Sequence, residues 1–288
     1  MAADSSAVMR SPFAGLMRGA LAVLGILVVG RLVLELAGLP PDVTRFFSST
    51  VGLLFAGIFV AAVGPLRGGA RKFTQLLLPA LILAAWTEGL IIVVTIIAAV
   101  LRLSRSHFAE PEDFGNWGHL GRHVMGHAME IVLMAVVVLI LMTIVHVLWR
   151  WPITVGPGAL LGVFVIMRFW TESMQLGPFR TAAWSSTLLV LLSAFFVGGV
   201  GPRVGLANAR QLLVPCLVMG WTWRVWVYLA TLIAAATPLR THFFDPTRGN
   251  VPMRLLGLLG GSVIEGLLAG LIVWGIAVWI AAATQAEK

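Results

Sequence analysis

Eight stretches of the chain stay apolar for long enough to cross the roughly 30 Å of hydrocarbon in a bilayer: about 15–38, 48–65, 74–101, 124–149, 153–176, 183–200, 211–237 and 255–284. A segment in lipid must satisfy its backbone N–H and C=O groups internally or in a closed barrel, so runs of this length fold as helices. The balance of residues agrees. Only 11% are charged and the mean hydropathy is +0.96, whereas a soluble domain has a charged share near a quarter. The sequence reads as an all-α integral membrane protein with eight transmembrane helices. Its first span follows Arg10 and Arg18 as a signal peptide would, but it runs too long and carries Arg31 and Glu35, which reads as an uncleaved first helix. The single cysteine, Cys216, lies inside an apolar span, so no intramolecular disulfide forms and the residue reads as a small core side chain.

The spans fall into two similar sets. Arg31, Glu35, Ser48-Ser49-Thr50 and Gly64-Pro65 recur about 137 positions later as Arg168, Glu172, Ser185-Ser186-Thr187 and Gly201-Pro202. At a spacing of about 136, Gln75, Leu76, Leu77 and Pro79 match Gln211, Leu212, Leu213 and Pro215. At about 135, His107, Phe108 and Pro111 match His242, Phe243 and Pro246, and Gly126 and Glu130 match Gly261 and Glu265. This reads as an internal duplication, with one four-helix repeat at 15–150, a second at 151–284, and short flanks at 1–14 and 285–288. An even number of spans per repeat makes the two repeats parallel, related by a pseudo-twofold axis along the membrane normal.

A net charge of +8 suggests nucleic acid until the arginines are located: they are spread over many short loops, not gathered on one soluble face, and no nucleic-acid partner is expected. Membrane topology accounts for them better. The segments 67–72 and 203–210 hold bases and no acids, which places them in the cytoplasm with both termini. Eighteen arginines against two lysines point to a GC-rich bacterial genome, hence a bacterial cytoplasmic membrane.

Eight ionisable residues lie within spans: Arg31, Glu35, Glu88, Glu130, Arg168, Glu172, Arg224 and Glu265. Each costs roughly 2.5–3.5 kcal/mol near a helix centre if unpaired, so each needs a partner, water or a function. Arg31 with Glu35 and Arg168 with Glu172 are four apart and neutralise each other on one helix face. Glu88 aligns with Arg224 in the other repeat, an arrangement that predicts an ion pair across the pseudo-twofold axis. That leaves Glu130 and Glu265 as acids without an evident base, the strongest candidates for a proton or ligand site, although Ser262 is placed to hydrogen-bond Glu265.

A second repeated signature lies in the loops that join the third span to the fourth and the seventh to the eighth. His107 and Glu110 in one match His242 and Asp245 in the other, and each loop ends in Gly-Asn. Proline, glycine and a capping asparagine explain part of this as turn chemistry, and the four side chains form a candidate loop site for a metal or polar ligand. Beyond the first loop, His119, His123, His127 and Glu130 project at about 0°, 40°, 80° and 20°, one polar stripe along a helix. The i, i+4 histidine spacing suits a metal ion or haem iron, and the second repeat lacks it, with Ser262 where His127 stands. No phosphate loop, HExxH, CxxC or GxSxG occurs, which removes most soluble enzyme classes. Three functions fit these features: a permease or proton-coupled transporter of a small solute with a polar cavity where the repeats meet, a membrane-embedded metal or haem enzyme or redox subunit, and a non-catalytic subunit of a membrane complex.

Overall fold

The computed structural model describes residues 12–175, 177, 181–237, 241–244 and 250–286. Among the described residues, eight main helices follow one another. Four are α1 (Pro12–Leu36), α2 (Ser49–Val63), α3 (Leu77–Val100) and α4 (Trp117–Val147), and four are α5 (Val155–Ser173), α6 (Ser186–Val200), α7 (Ala209–Ala236) and α8 (Val251–Ala286). Together with their flanking turns, all eight are long and apolar enough to cross a membrane, so the protein is a polytopic α-helical membrane protein. Apart from one isolated bridge between Thr241 and Phe244, no β-pairing occurs among the described residues. Large apolar side chains such as Ile26, Leu133, Ile264 and Trp279 lie on the outside, where lipid replaces water as solvent. The chain divides into two compact units after His146.

The two units repeat several local devices. Ser48 accepts a hydrogen bond from Val51 N at 3.3 Å to cap α2, and Ser185 accepts one from Leu188 N at 3.3 Å to cap α6. Both capped helices are 15 residues long, and each runs into a single 3-10 turn that ends at a left-handed glycine, Gly68 (φ 82°) or Gly205 (φ 88°). The loop asparagines also act alike: Asn116 Oδ1 accepts from His119 N and Asn250 Oδ1 from Met253 N, starting α4 and α8. Here the structure departs from hydropathy. The apolar pattern starts the fourth span at 124, but the asparagine cap starts α4 at Trp117 and carries the polar histidines on the helix. At 31 residues α4 is about 46 Å long, so it outreaches the hydrocarbon.

Within the first unit, α1, α3, the α3–α4 loop and the start of α4 enclose Val28, Ile91, Val94, Ala98, Phe108 and Leu120. Phe108 and Ala109 of the loop thereby seal one end of the bundle. An apolar groove of about 420 Å³ lies between α3 and α4, lined by residues such as Leu78, Leu81, Val132 and Val136. The corresponding helices of the second unit close tightly instead. Gly220 on α7 faces Gly266 and Gly270 on α8, and a methyl group at Gly220 would collide with the backbone of both. Small residues at such a crossing bring two backbones together and maximise dispersion in lipid, where no hydrophobic effect drives helices to associate. The aligned residues of the first unit are Ala84, Ile131 and Ala135. Indole donors stitch the helices across their faces: Trp86 Nε1 to Leu21 O at 2.9 Å in the first unit, and Trp226 Nε1 to Gly158 O at 3.0 Å in the second.

Gly220→Ala is therefore expected to lower the stability of the purified protein by about 1–3 kcal/mol, the usual cost of overpacking. Gly257→Ala on the same α8 meets nothing within 4 Å and serves as the control, with no loss expected. Equal melting temperatures for the two variants would contradict this packing.

Candidate functional site

The arginine–glutamate pairs are completed by the loop histidines. Arg31 Nε donates to Glu35 Oε1 at 3.0 Å, and both the backbone N and the ring Nδ1 of His107 reach Glu35 Oε2, at 3.1 and 2.8 Å. In the second unit Arg168 Nε donates to Glu172 Oε1 at 3.0 Å, and His242 N and Nδ1 lie 2.9 and 2.6 Å from Glu172 Oε2. Each carboxylate thus ties the last turn of α1 or α5 to a loop some seventy residues on. The histidine ring leans on the next side chain, with ring centroids 4.0 Å apart in both His107–Phe108 and His242–Phe243. Burial, joined by the nearby Arg31 charge, pulls the His107 pKa below its ordinary value against the opposing pull of Glu35. A neutral imidazole with its proton on Nδ1 suits a carboxylate, which can only accept.

The loop signature consequently divides. His107 and His242 belong with Glu35 and Glu172, while Glu110 closes a capping box with Asp113 at the turn before α4. Asp245 lies outside the described residues. Asp113, which the sequence does not single out, is the buried centre of the loop. Its Oδ1 lies 2.7 Å from His119 Nδ1, and its Oδ2 lies 2.8 Å from His123 Nδ1 and 2.9 Å from Glu110 N. Burial works to raise its pKa, but the hydrogen bonds from His119, His123 and Glu110 prevail and hold it at about 2. An acid six and ten residues ahead of two histidines on one helix face was the available signal.

Further along α4, His127 stacks on His123 with ring centroids 5.2 Å apart. Its Nδ1 lies 2.9 Å from Glu130 Oε2 and 3.4 Å from Glu88 Oε2 on α3. Glu88 is only 3% exposed, and its Oε2 is enclosed without a hydrogen-bond donor. Glu88 stands about 18 Å along α3 from its end at Val100, and His127 about 15 Å along α4 from its start at Trp117.

The aligned positions of the second unit, Arg224, Ser262 and Glu265, also converge. Arg224 Nη1 lies 2.9 Å from Glu265 Oε2, and Arg224 Nη2 donates to Ser262 Oγ at 3.2 Å. This corrects three expectations. Arg224 pairs with Glu265 inside its own unit and Glu88 approaches His127 inside the other, so neither needs its counterpart across an axis. Glu130 and Glu265 both have a basic neighbour. Ser262 binds the arginine, because the guanidinium reaches the serine and the glutamate together. Among the sequence candidates for a metal, His127 converges with two carboxylates, whereas His119 and His123 are held by Asp113.

Comparison of the chain with models of known protein families, with curated proteins and with solved structures gives no match.

Two outcomes follow from these contacts. Because the fold depresses the pKa of Asp113 from 3.8 to about 2, its contribution to stability is complete above its unfolded value and is lost as pH falls between the two. Asp113→Asn should lower the melting temperature at neutral pH and flatten the acid limb of a stability–pH profile, and an unchanged acid limb would refute the assignment. Glu35→Gln and Glu172→Gln should each cost about 1–3 kcal/mol through the donors they leave unsatisfied, more than His107→Ala, as thermal unfolding in detergent would reveal.

Proposed function

We propose that the protein is a permease for a small cation, built by duplication of a four-helix unit, with the ion route in the first unit. The observation that carries this reading is the contrast at the three aligned positions. The second unit holds arginine, serine and glutamate, whose charges cancel. The first holds glutamate, histidine and glutamate, two acids with no arginine among their contacts. Two acids around one histidine carry excess negative charge, and a mobile cation or proton that supplies the missing positive charge makes such a set tolerable in a membrane interior.

Among the described residues, the same unit carries a graded polar path along α4. Asp113, His119 and His123 lie at the loop end of α4, and His127, Glu88 and Glu130 deeper, linked by the His123–His127 stack. With the basic segment 67–72 in the cytoplasm, the path opens toward the outside of a bacterial cytoplasmic membrane. A purely structural subunit is less well supported, since packing has no need of this second set of polar residues.

Reconstituted in liposomes on a solid-supported membrane, the protein should give transient currents when pH or divalent-cation concentration is stepped. Glu88→Gln should abolish them, while Glu112→Gln, in the loop turn, should not. Currents undiminished in Glu88→Gln, or absent from the native protein under every gradient, would contradict the reading.

A further inference from the structure

We propose that Glu88, His127 and Glu130 form a binding site for one divalent transition-metal ion of the zinc class, with a fourth coordination position open. The inference deepens the permease reading by naming its cargo, and rests on that reading for the ion's role but not for its binding. The donor atoms of the three residues all lie within 4.8 Å of one another. In a tetrahedral zinc site with bonds of about 2.0–2.1 Å, neighbouring donors stand about 3.3–3.4 Å apart. His127 Nδ1 lies 3.4 Å from Glu88 Oε2 and 2.9 Å from Glu130 Oε2, so each histidine–carboxylate pair is within a few tenths of an ångström of that spacing.

Independent support comes from Glu88 itself. Its Oε2 is enclosed in an apolar helix pair without a hydrogen-bond donor, a state that costs free energy unless something positive fills the space. The second unit shows what suffices there: at the position of Glu88 it carries Arg224, which binds the glutamate equivalent to Glu130. One half therefore has a covalently attached cation, and the other has two carboxylates that a doubly charged ion neutralises. An imidazole with two carboxylates favours zinc, manganese, iron or cobalt over magnesium and calcium, which prefer oxygen alone. Three protein ligands leave room for water or an exchanging ligand, as release of a transported ion requires.

The test uses the full chain, stripped with chelator and studied in detergent and in nanodiscs. Titration with Zn²⁺ in a calorimeter should show one ion per chain, and Co²⁺ should give the visible absorption of a low-symmetry four-coordinate site. Glu88→Gln, His127→Asn and Glu130→Gln should each weaken binding by more than about 100-fold, beyond the 10–100-fold that outer-shell changes cost, while His119→Asn should cost less than that. The double variant Glu88→Arg with His127→Ser copies the second unit's residues. It should remain folded by size exclusion and thermal unfolding yet bind no Co²⁺. Absence of binding by the native protein up to about 1 mM Zn²⁺, or undiminished binding by the double variant, overturns the site. A parallel measurement of Zn²⁺ entry into dye-loaded liposomes separates the two readings. Binding without entry or current keeps the site and removes the permease, and current without binding does the reverse.

Discussion

An unpaired charge in hydrocarbon is the constraint around which this chain is organised. At roughly 2.5–3.5 kcal/mol per residue on insertion scales, eight intramembrane ionisable groups left alone would oppose insertion by an amount larger than the whole stability of a typical domain. The fold answers by gathering them into small clusters. Glu35 and Glu172 each collect an arginine four residues back and a histidine from a distant loop. Glu265 takes Arg224, and Glu130 takes His127. Those contacts fix where the loops dock, so the charges shape the bundle ends as much as they are tolerated by them. Among the intramembrane carboxylates described, Glu88 keeps an enclosed oxygen without a hydrogen bond, and it is the residue on which the functional proposal turns.

The two units solve the same packing problem with different side chains. Around Gly220, Gly266 and Gly270 the second unit brings α7 and α8 into backbone contact, which maximises dispersion and leaves no room for a ligand. In the first unit the aligned positions carry larger residues, an apolar groove lies between α3 and α4, and Glu88, His127 and Glu130 converge on the same two helices. If the two arose by duplication, one copy has been tightened into a scaffold and the other kept open for chemistry. The glycines and the arginine of the second unit then belong to one adaptation, as do the histidines and the second acid of the first.

How much of this was legible depended on range. Eight spans could be read directly, because lipid imposes a long and uniform hydropathy signal. The start of α4 could not, since the polar histidines hide a helix whose beginning is set by the Asn116 cap. Arg31 and Glu35 were recognisable as a pair from their spacing of four, but His107, seventy-two residues away, was not assigned to them although all three recur together in the second half. Pairing Glu88 with Arg224 failed for an instructive reason. Aligned positions were read as partners, when each is surrounded by its own unit's versions of the same neighbours, His127 and Glu130 in one and Ser262 and Glu265 in the other. Asp113 was passed over because loop acids are common, and only the fold shows it buried beneath two imidazoles.

On the proposed reading, a doubly charged ion supplies to the first unit the positive charge that Arg224 supplies to the second. Diffraction from crystals grown with Zn²⁺, recorded on either side of the zinc absorption edge, tests it most directly. One strong anomalous peak is expected between α3 and α4, at about 2.0–2.2 Å from Glu88, His127 and Glu130, and none beside Arg224. Density at the edge wavelength confined to surface histidines, with Glu88 turned away from His127, would contradict it.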